Sequence, residues 1–230
     1  MPCSRRKDAG AWRQSSLGEE VGPDMSSVSK SLEQLAQKGP LPKMVVFDLD
    51  YTLWPLWVDT HVETPLKRKD NATNKVVDRY GTTLSLFPHV APILFFCRRH
   101  DILVAAASRT SAPIAARQAL NGLMVVDDQD ETKTPKKAWD LFDLTEIYPG
   151  SKITHFRKLH ADAGVSYEDS LFFDDESRNS EVGSRLGVHF VLVGHAGLDL
   201  ATFTSGVAEW RAKQAVRGGH GTTADPGAKV

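Results

Sequence analysis

Short apolar runs alternate along this chain with segments of helical periodicity. The clearest run, Met44–Phe47, is rich in β-branched residues and is typical of a strand buried on both faces. Further strands are predicted at residues 102–107, 146–148, 170–173 and 188–193. Helices are predicted at residues 88–99, 112–120, 138–144, 151–163, 177–186 and 199–213. Strands that alternate with helices predict an α/β fold with a three-layer, doubly wound and mostly parallel sheet.

Polar residues at the helix ends support these assignments. Ser111 or Thr110 is expected to cap the helix that starts at residue 112. Ser151 is expected to cap the helix that runs from residue 151 to residue 163. Gly164 is expected to end that second helix in a left-handed conformation.

Residues 51–87 form a long connection in which no helix is predicted. Two short apolar segments around Gly81 predict a small hairpin. Connections of this length inside a domain are usually functional, so we expect a flap over a pocket. Four of its side chains are expected near a ligand, namely Trp54, Trp57, Asp59 and His61. The alternative is that both tryptophans only anchor the connection to the core.

The ends of the chain differ in composition from its centre. Residues 1–40 are rich in Ser, Gly and charge, and we expect a mostly disordered extension with a short helix near residues 29–37. Residues 41–213 are expected to form the globular domain, and residues 214–230 a flexible tail. The charged segment 127–137 is expected to be a solvated loop without chemistry.

Composition narrows the classes of function. A formal net charge of −1 argues against a nucleic acid or an anionic membrane as partner. Two cysteines do not make a disulfide framework, and no apolar run approaches the roughly 20 residues of a membrane span. We therefore expect a cytoplasmic, and also nuclear, monomer.

Three of the predicted strands end in polar clusters. Asp48 and Asp50 follow the first strand, Ser108 and Arg109 the second, and the pair Asp174 and Asp175 the fourth. Lys152 begins a helix just upstream of this last pair, where its charge opposes the helix dipole. Parallel strands bring their carboxyl ends to one edge of the sheet, where ligands bind. Mg²⁺ prefers carboxylate oxygens and phosphate, so the joint pattern predicts a phosphate-handling site.

The same motifs carry a resemblance to a known family. The segments Phe47–Pro55, Ala107–Ser111, Tyr148–Phe156 and Phe172–Glu176 resemble, in this order, the magnesium-dependent phosphatases of the haloacid dehalogenase-like superfamily. The resemblance covers residues 44–213, and the segment 127–137 departs from it. It implies a Rossmann-like fold in which a small flap replaces a large cap domain.

The resemblance also implies roles for individual residues. Asp48 is expected to be the nucleophile and a Mg²⁺ ligand, and Asp50 the acid and base, with its backbone carbonyl on the metal. Asp174 is expected to complete the metal shell, and Asp175 to act on the metal directly or through water.

Other residues are expected to contact the substrate. Ser108 and the backbone near Leu49 are expected to bind the phosphoryl oxygens, and Lys152 to balance charge between phosphate and the nucleophile. Candidates for contacts to the leaving group are Arg109, Trp57, His61 and His155.

The leading hypothesis is a Mg²⁺-dependent phosphomonoester hydrolase that acts through an aspartyl-phosphate. Its substrate is expected to be a phosphoprotein or a phosphorylated small molecule, with protein phosphotyrosine and sugar or fructosamine phosphates both open. One alternative is a phosphatase of small metabolites such as nucleotides. Another alternative is a non-catalytic module that binds phosphorylated ligands. The presence of all the site residues argues against this alternative.

Overall fold

The computed structural model of the protein describes residues 25–219. Its α-helices are α1 (Met25–Gln37), α2 (Val90–Arg99), α3 (Pro113–Gly122), α4 (Lys152–Ala163), α5 (Glu181–Leu186) and α6 (Leu200–Gly219). Its strands are β1 (Met44–Phe47), β2 (Lys67–Arg68), β3 (Val76–Val77), β4 (Thr83–Leu84), β5 (Leu103–Ser108), β6 (Met124–Val125), β7 (Lys136–Lys137), β8 (Leu144–Ile147), β9 (Ser170–Asp174) and β10 (His189–Leu192). Turns of 3₁₀ helix cover Ala138–Leu141, Tyr167–Asp169 and Ser177–Ser180.

A five-stranded parallel sheet forms the centre of the molecule, in the order β10-β9-β1-β5-β8. The last residue of β1, Phe47, pairs with Ala106 of β5 and with Phe173 of β9. The residues that follow β1 therefore lie level with the carboxyl ends of both neighbours. This register brings the three predicted polar clusters to one edge of the sheet.

Helices cover both faces of this sheet. On one face, Phe47 and Phe173 contribute to the larger core cluster, which also includes residues of α1, α2, α3 and α6. On the other face, Val46 and Phe172 belong to a second cluster with residues of α4 and α5. Alternate residues of one strand thus enter opposite cores, as the pleat requires. The predicted three-layer α/β fold is confirmed.

The connection between β1 and α2 forms a small flap rather than a large cap. Strands β2, β3 and β4 make an antiparallel sheet, and Gly81, at φ +91°, lies in the turn between the last two. Asp78 stabilises this flap because its carboxylate accepts hydrogen bonds from the backbone N–H groups of Glu63, Tyr80 and Thr82. The predicted hairpin is confirmed, whereas β2 was missed.

The ends of the described chain are more ordered than the sequence indicated. Helix α1 begins at Met25 and buries Val28, Leu32 and Leu35, so it packs on the domain that we expected to begin at residue 41. Helix α6 continues to Gly219, into the residues from 214 onward that we expected to form a flexible tail. The predictions for residues 1–24 and 220–230 lie outside the described residues.

Two local predictions were wrong. Lys136–Lys137, the last two residues of the segment that we expected to be a solvated loop, form β7 and pair with β6, which lies just before that segment. Helix α3 has Ala112 as its N-cap without a side-chain hydrogen bond, so neither Ser111 nor Thr110 caps it. By contrast, Ser151 caps α4 and Gly164 ends it, as predicted. None of the helices between residues 25 and 219 is both long and apolar enough to span a membrane.

Candidate active site

A cleft of about 340 Å³ opens at the carboxyl ends of β1, β5 and β9. It is lined by Asp48, Asp50, Trp57, Asp59, Ser108, Arg109, Thr110, Lys152, Asp175, Glu176 and Arg178. Most of the residues singled out in the sequence therefore meet at one place, and they come from four separate segments of the chain.

Lys152 lies at the bottom of this cleft. It is the first residue of α4, it is 1% exposed, and its ammonium group contacts three acceptors. Nζ lies 2.6 Å from Asp48 Oδ1 and 2.9 Å from Asp174 Oδ2, and it also donates to the carbonyl of Ala107. Burial alone would lower the pKa of Lys152, but the two carboxylates outweigh it and raise that pKa. The group is therefore a fixed cation between two acids.

Asp50 lies two residues after Asp48, beyond the end of β1. Its Oδ1 accepts hydrogen bonds from Trp54 Nε1 at 2.8 Å and from the backbone N–H of Val58 at 3.2 Å. Burial raises the pKa of Asp50 to about 7 in spite of these two donors. Trp54 is fully buried, so it orients Asp50 from the core and does not face a ligand. For this tryptophan the alternative of a core anchor is confirmed.

Ser108 ends β5 beside the nucleophile candidate. Its hydroxyl oxygen accepts from the backbone N–H of Thr110 at 3.3 Å, and Thr110 Oγ1 accepts from the N–H of Ala112 at 3.2 Å. Ser111 instead donates from Oγ to Asp59 Oδ2 at 2.9 Å, which ties the β5–α3 turn to the flap. These hydroxyls therefore fix the turn that presents Ser108 to the cleft.

The paired acids at the end of β9 lie in different environments. Asp174 is fully buried, and both of its carboxylate oxygens accept from Asn179 Nδ2 at 2.9 Å. Asp175 lines the cleft and is half-buried. Burial, together with the charges of Asp174 and Glu176, raises its pKa to about 6. Of the two acids, Asp175 is thus the one that lines the cleft.

Mg²⁺ suits the chemistry of this cleft. Among residues 25–219, no group of three or more His, Cys, Asp and Glu side chains is arranged so that it could hold a metal ion by side chains alone. Lys152 contacts one carboxylate oxygen of Asp48 and one of Asp174. Asp48, Asp50 and Asp175 nevertheless line one cleft and offer the hard oxygen donors that Mg²⁺ prefers.

Trp57 forms one wall at the mouth of the cleft and is 47% exposed. The ring of Tyr51, a residue with φ +52°, meets it edge-on at 5.0 Å, and the ring of His61 stacks on it at 5.5 Å. The backbone N–H of Trp57 also donates to His61 Nδ1 at 3.0 Å. His61 thus holds the indole in place without lining the cleft itself.

Two other predicted residues do not line the cleft with their side chains. The side chain of Leu49 is fully buried in the core, so the prediction that its backbone binds phosphoryl oxygens stays a prediction. His155 is also buried and shares a hydrogen bond with the carbonyl of Tyr148 at 3.1 Å, while its Nδ1 has no partner. Burial, with a further contribution from the Lys152 charge, lowers the pKa of His155 to about 4. The structure does not bring this histidine to a ligand.

Sequence reasoning missed several residues of the site. Thr110, Glu176 and Arg178 line the cleft, and Asn179 supports it from below. Thr110 and Glu176 lie within the segments that were recognised, and Arg178 and Asn179 follow the last of them by two and three residues. Their position after a strand end was the available signal, but only the path of each turn decides which side chain returns to the cleft.

Comparisons with known proteins agree with this geometry. The family model described as Acid Phosphatase matches residues 40–213. A magnesium-dependent phosphatase 1 from Homo sapiens is 41% identical over 173 residues, which cover 73% of this chain and 86% of that protein. A HAD-like hydrolase superfamily protein from Schizosaccharomyces pombe is 46% identical over 150 residues, covering 65% of this chain and 84% of the relative. The chain therefore belongs to the magnesium-dependent phosphatase family of the haloacid dehalogenase-like superfamily, which confirms the predicted enzyme class, a Mg²⁺-dependent phosphoric monoester hydrolase.

Proposed function

We propose that this protein hydrolyses phosphomonoesters through an aspartyl-phosphate on Asp48. The observation that supports this most directly is the contact between Asp48 and the buried ammonium group of Lys152, in a cleft that Asp50 and Ser108 also line. A carboxylate held against a fixed cation can approach an anionic phosphoryl group with less repulsion.

The reaction takes place in two steps. In the first, Asp48 Oδ2 attacks phosphorus, because Oδ1 is held by Lys152; the new bond to Oδ2 forms while the bond to the leaving oxygen breaks. Asp50 gives its proton to that leaving oxygen. In the second step, Asp50 takes a proton from water, whose oxygen attacks phosphorus and releases the Asp48 carboxylate and phosphate. The enzyme then has its starting protonation state again.

The environment of Asp50 suits this double role. A pKa of about 7 means that its protonated and ionised forms are both populated near neutral pH. The hydrogen bonds from Trp54 and Val58 use Oδ1, so Oδ2 is the oxygen that we assign to proton transfer.

We assign the metal to Asp48, the backbone carbonyl of Asp50 and Asp175. When bound, Mg²⁺ neutralises charge on the phosphoryl oxygens. This assignment gives Asp174 a different task from the one the resemblance implied: it is the buried counter-ion of Lys152. Ser108 and Arg109 are then the protein donors to the phosphoryl group, while Lys152, whose three N–H groups face Asp48, Asp174 and the Ala107 carbonyl, balances the negative charge.

The wall made by Trp57 favours a leaving group with a flat face, such as an aromatic or sugar ring. Protein phosphotyrosine and sugar or fructosamine phosphates both meet this description, and the small flap leaves the cleft open to a side chain of a protein. A phosphatase of small metabolites is the second candidate, and a binding module without turnover the third. We expect the protein to act as a monomer on these substrates.

The test is phosphate release from a generic aryl phosphate, with and without Mg²⁺. We expect the wild type to need Mg²⁺, and Asp48→Asn to lose at least about 10³-fold in kcat, since the nucleophile is removed. The matched control is Asp140→Asn, an exposed aspartate outside the cleft. Activity of Asp48→Asn at the wild-type level would refute the mechanism.

A second measurement addresses the substrate. Phosphotyrosine peptides, sugar phosphates and nucleotides are compared by kcat/KM, for the wild type and for Trp57→Ala. If Trp57 recognises a ring, the variant loses activity on ring-bearing esters more than on a small alkyl phosphate. Phosphate binding by the wild type without turnover of any ester would favour the binding module instead.

A further inference from the structure

Asn179 lies behind the cleft, in the 3₁₀ turn that follows β9, and is 2% exposed. Its Nδ2 donates to both carboxylate oxygens of Asp174 at 2.9 Å and to Glu176 Oε2 at 3.2 Å. Its Oδ1 accepts from Arg109 Nη1 at 3.1 Å. The amide is thus placed with its donor toward carboxylates and its acceptor toward a guanidinium.

These contacts join two sides of the cleft. On one side, Asp174 contacts Lys152, which in turn contacts Asp48. On the other side, Arg109 lines the cleft next to Ser108. Asn179 contacts both Asp174 and Arg109. One neutral side chain therefore links the ion pairs that hold Asp48 to a candidate hydrogen-bond donor for phosphate.

We propose that Asn179 is a positioning residue that sets the orientation of the Asp174 carboxylate and of the Arg109 guanidinium together. This inference rests on the proposed function, because the groups it positions are those that we assign to phosphoryl transfer. Through Asp174, Asn179 holds Lys152 against Asp48, and through its carbonyl oxygen it holds Arg109 in the cleft.

The chemistry of the position explains why an amide is needed. A carboxylate there would place a second negative charge against Asp174, and an apolar side chain would leave Asp174 with fewer donors in a buried place. Only a group with a donor and an acceptor on one planar head satisfies both neighbours at once.

The experiment is a double-mutant cycle between Asn179→Ala and Arg109→Gln, read as separate values of kcat and KM on an aryl phosphate with saturating Mg²⁺. We expect Asn179→Ala to lower kcat/KM by about 10–100-fold, the range found for outer-shell partners of active-site ligands. Arg109→Gln is expected to act on KM alone. In the double variant KM should equal that of Arg109→Gln, while the lower kcat of Asn179→Ala persists.

A purely structural role would give a different result. It would lower the stability of Asn179→Ala but leave kcat and KM of the folded protein unchanged, and that outcome overturns the proposal. Additive effects of Asn179→Ala and Arg109→Gln on KM would also overturn the proposal. Asn121→Ala, an exposed asparagine on α3, is the control. If Asn179→Ala does not fold, Asn179→Ser, which retains a small polar group, is expected to show the same split between kcat and KM.

A binding measurement separates this inference from the proposed function. Calorimetric titration with inorganic phosphate in the presence of Mg²⁺ needs no turnover. We expect Asn179→Ala to bind phosphate about tenfold more weakly than the wild type, because Arg109 is no longer held in place. Equal affinity, or no phosphate binding by the wild type, overturns the role of Asn179. Absence of turnover with this difference in affinity intact overturns only the hydrolase.

Discussion

Replacing Lys152 by Met removes a buried charge with little change in side-chain length. The ammonium group lies 2.6 Å from Asp48 Oδ1 and 2.9 Å from Asp174 Oδ2, and the side chain is 1% exposed. In Lys152→Met two buried carboxylates therefore lose the cation between them. We expect a less stable protein whose stability depends on pH in a specific direction.

The size of the effect follows from these distances. At an effective dielectric constant of about 20, each contact corresponds to about 6 kcal/mol of gross attraction. Most of that attraction offsets the cost of burying the ions, so the expected loss on removal of one partner is about 3–5 kcal/mol of unfolding free energy.

The pH dependence follows from the carboxylates that remain. Burial already raises the pKa of Asp48 in the wild type, and without the cation we expect it to rise further. A raised carboxyl pKa gives stability that is present at low pH and lost as the pH rises through the folded value. The difference between wild type and variant should therefore be large near about pH 8 and smaller near about pH 5.

The assay is urea unfolding followed by tryptophan fluorescence at both pH values. Lys158→Met is the matched control, since Lys158 is on the same helix and pairs with Asp162, but its side chain is 54% exposed. We expect the control to lose at most about 0.5 kcal/mol. Equal midpoints for wild type and Lys152→Met near about pH 8 would show that the ion cluster is not a structural element, and the reasoning would fail.

Two further predictions concern the neighbouring groups. His155 has its pKa lowered to about 4, so the folded protein resists its protonation and loses stability as the pH falls from about 6.5 toward 4. Over that pH window, the free energy of unfolding of His155→Gln, measured by urea unfolding, should fall by up to about 3 kcal/mol less than that of the wild type. Parallel plots of unfolding free energy against pH for the two proteins would contradict this. Asp175→Asn should weaken Mg²⁺ binding more than tenfold by calorimetry, whereas Asp174→Asn should mainly lower stability. If Asp174→Asn weakened Mg²⁺ binding more than Asp175→Asn does, Asp174 would be the metal ligand instead of Asp175.

Much of the fold could be predicted because its central strands are short apolar runs with clear ends. Met44–Phe47 and the strand that ends in Asp174 are buried on both faces, so each is a short continuous apolar run whose length and polar flanking residues identify it without tertiary information. Asp48 and Asp50 could be predicted to share a cleft for the same reason, since strand ends in a parallel sheet meet at one edge.

Other features depended on contacts between distant parts of the chain. Ser111 is a good capping residue by local rules, but its hydroxyl group instead donates to Asp59, which is 52 residues away. Helix α1 was predicted only as a short helix near residues 29–37. It begins earlier, at Met25, and burial of Leu32 against the larger core, together with an ion pair between Glu33 and Arg99, fixes it on the domain. Local propensity does not contain such partners, so neither the absence of a Ser111 cap nor the packing of α1 could be predicted from the sequence.

The adjacent acids at the end of β9 show how one motif divides into two tasks. Asp174 is the last residue of β9 and is fully buried, whereas Asp175, the first residue beyond the strand, lines the cleft. Asp174 contacts Lys152 and Asn179. Asp175 remains on the cleft side, where burial and two acidic neighbours raise its pKa to about 6. A carboxyl group raised in this way is one that a divalent cation stabilises, since binding replaces a proton. In the assignment that we propose, Asp174 therefore keeps Lys152 in place and Asp175 binds Mg²⁺.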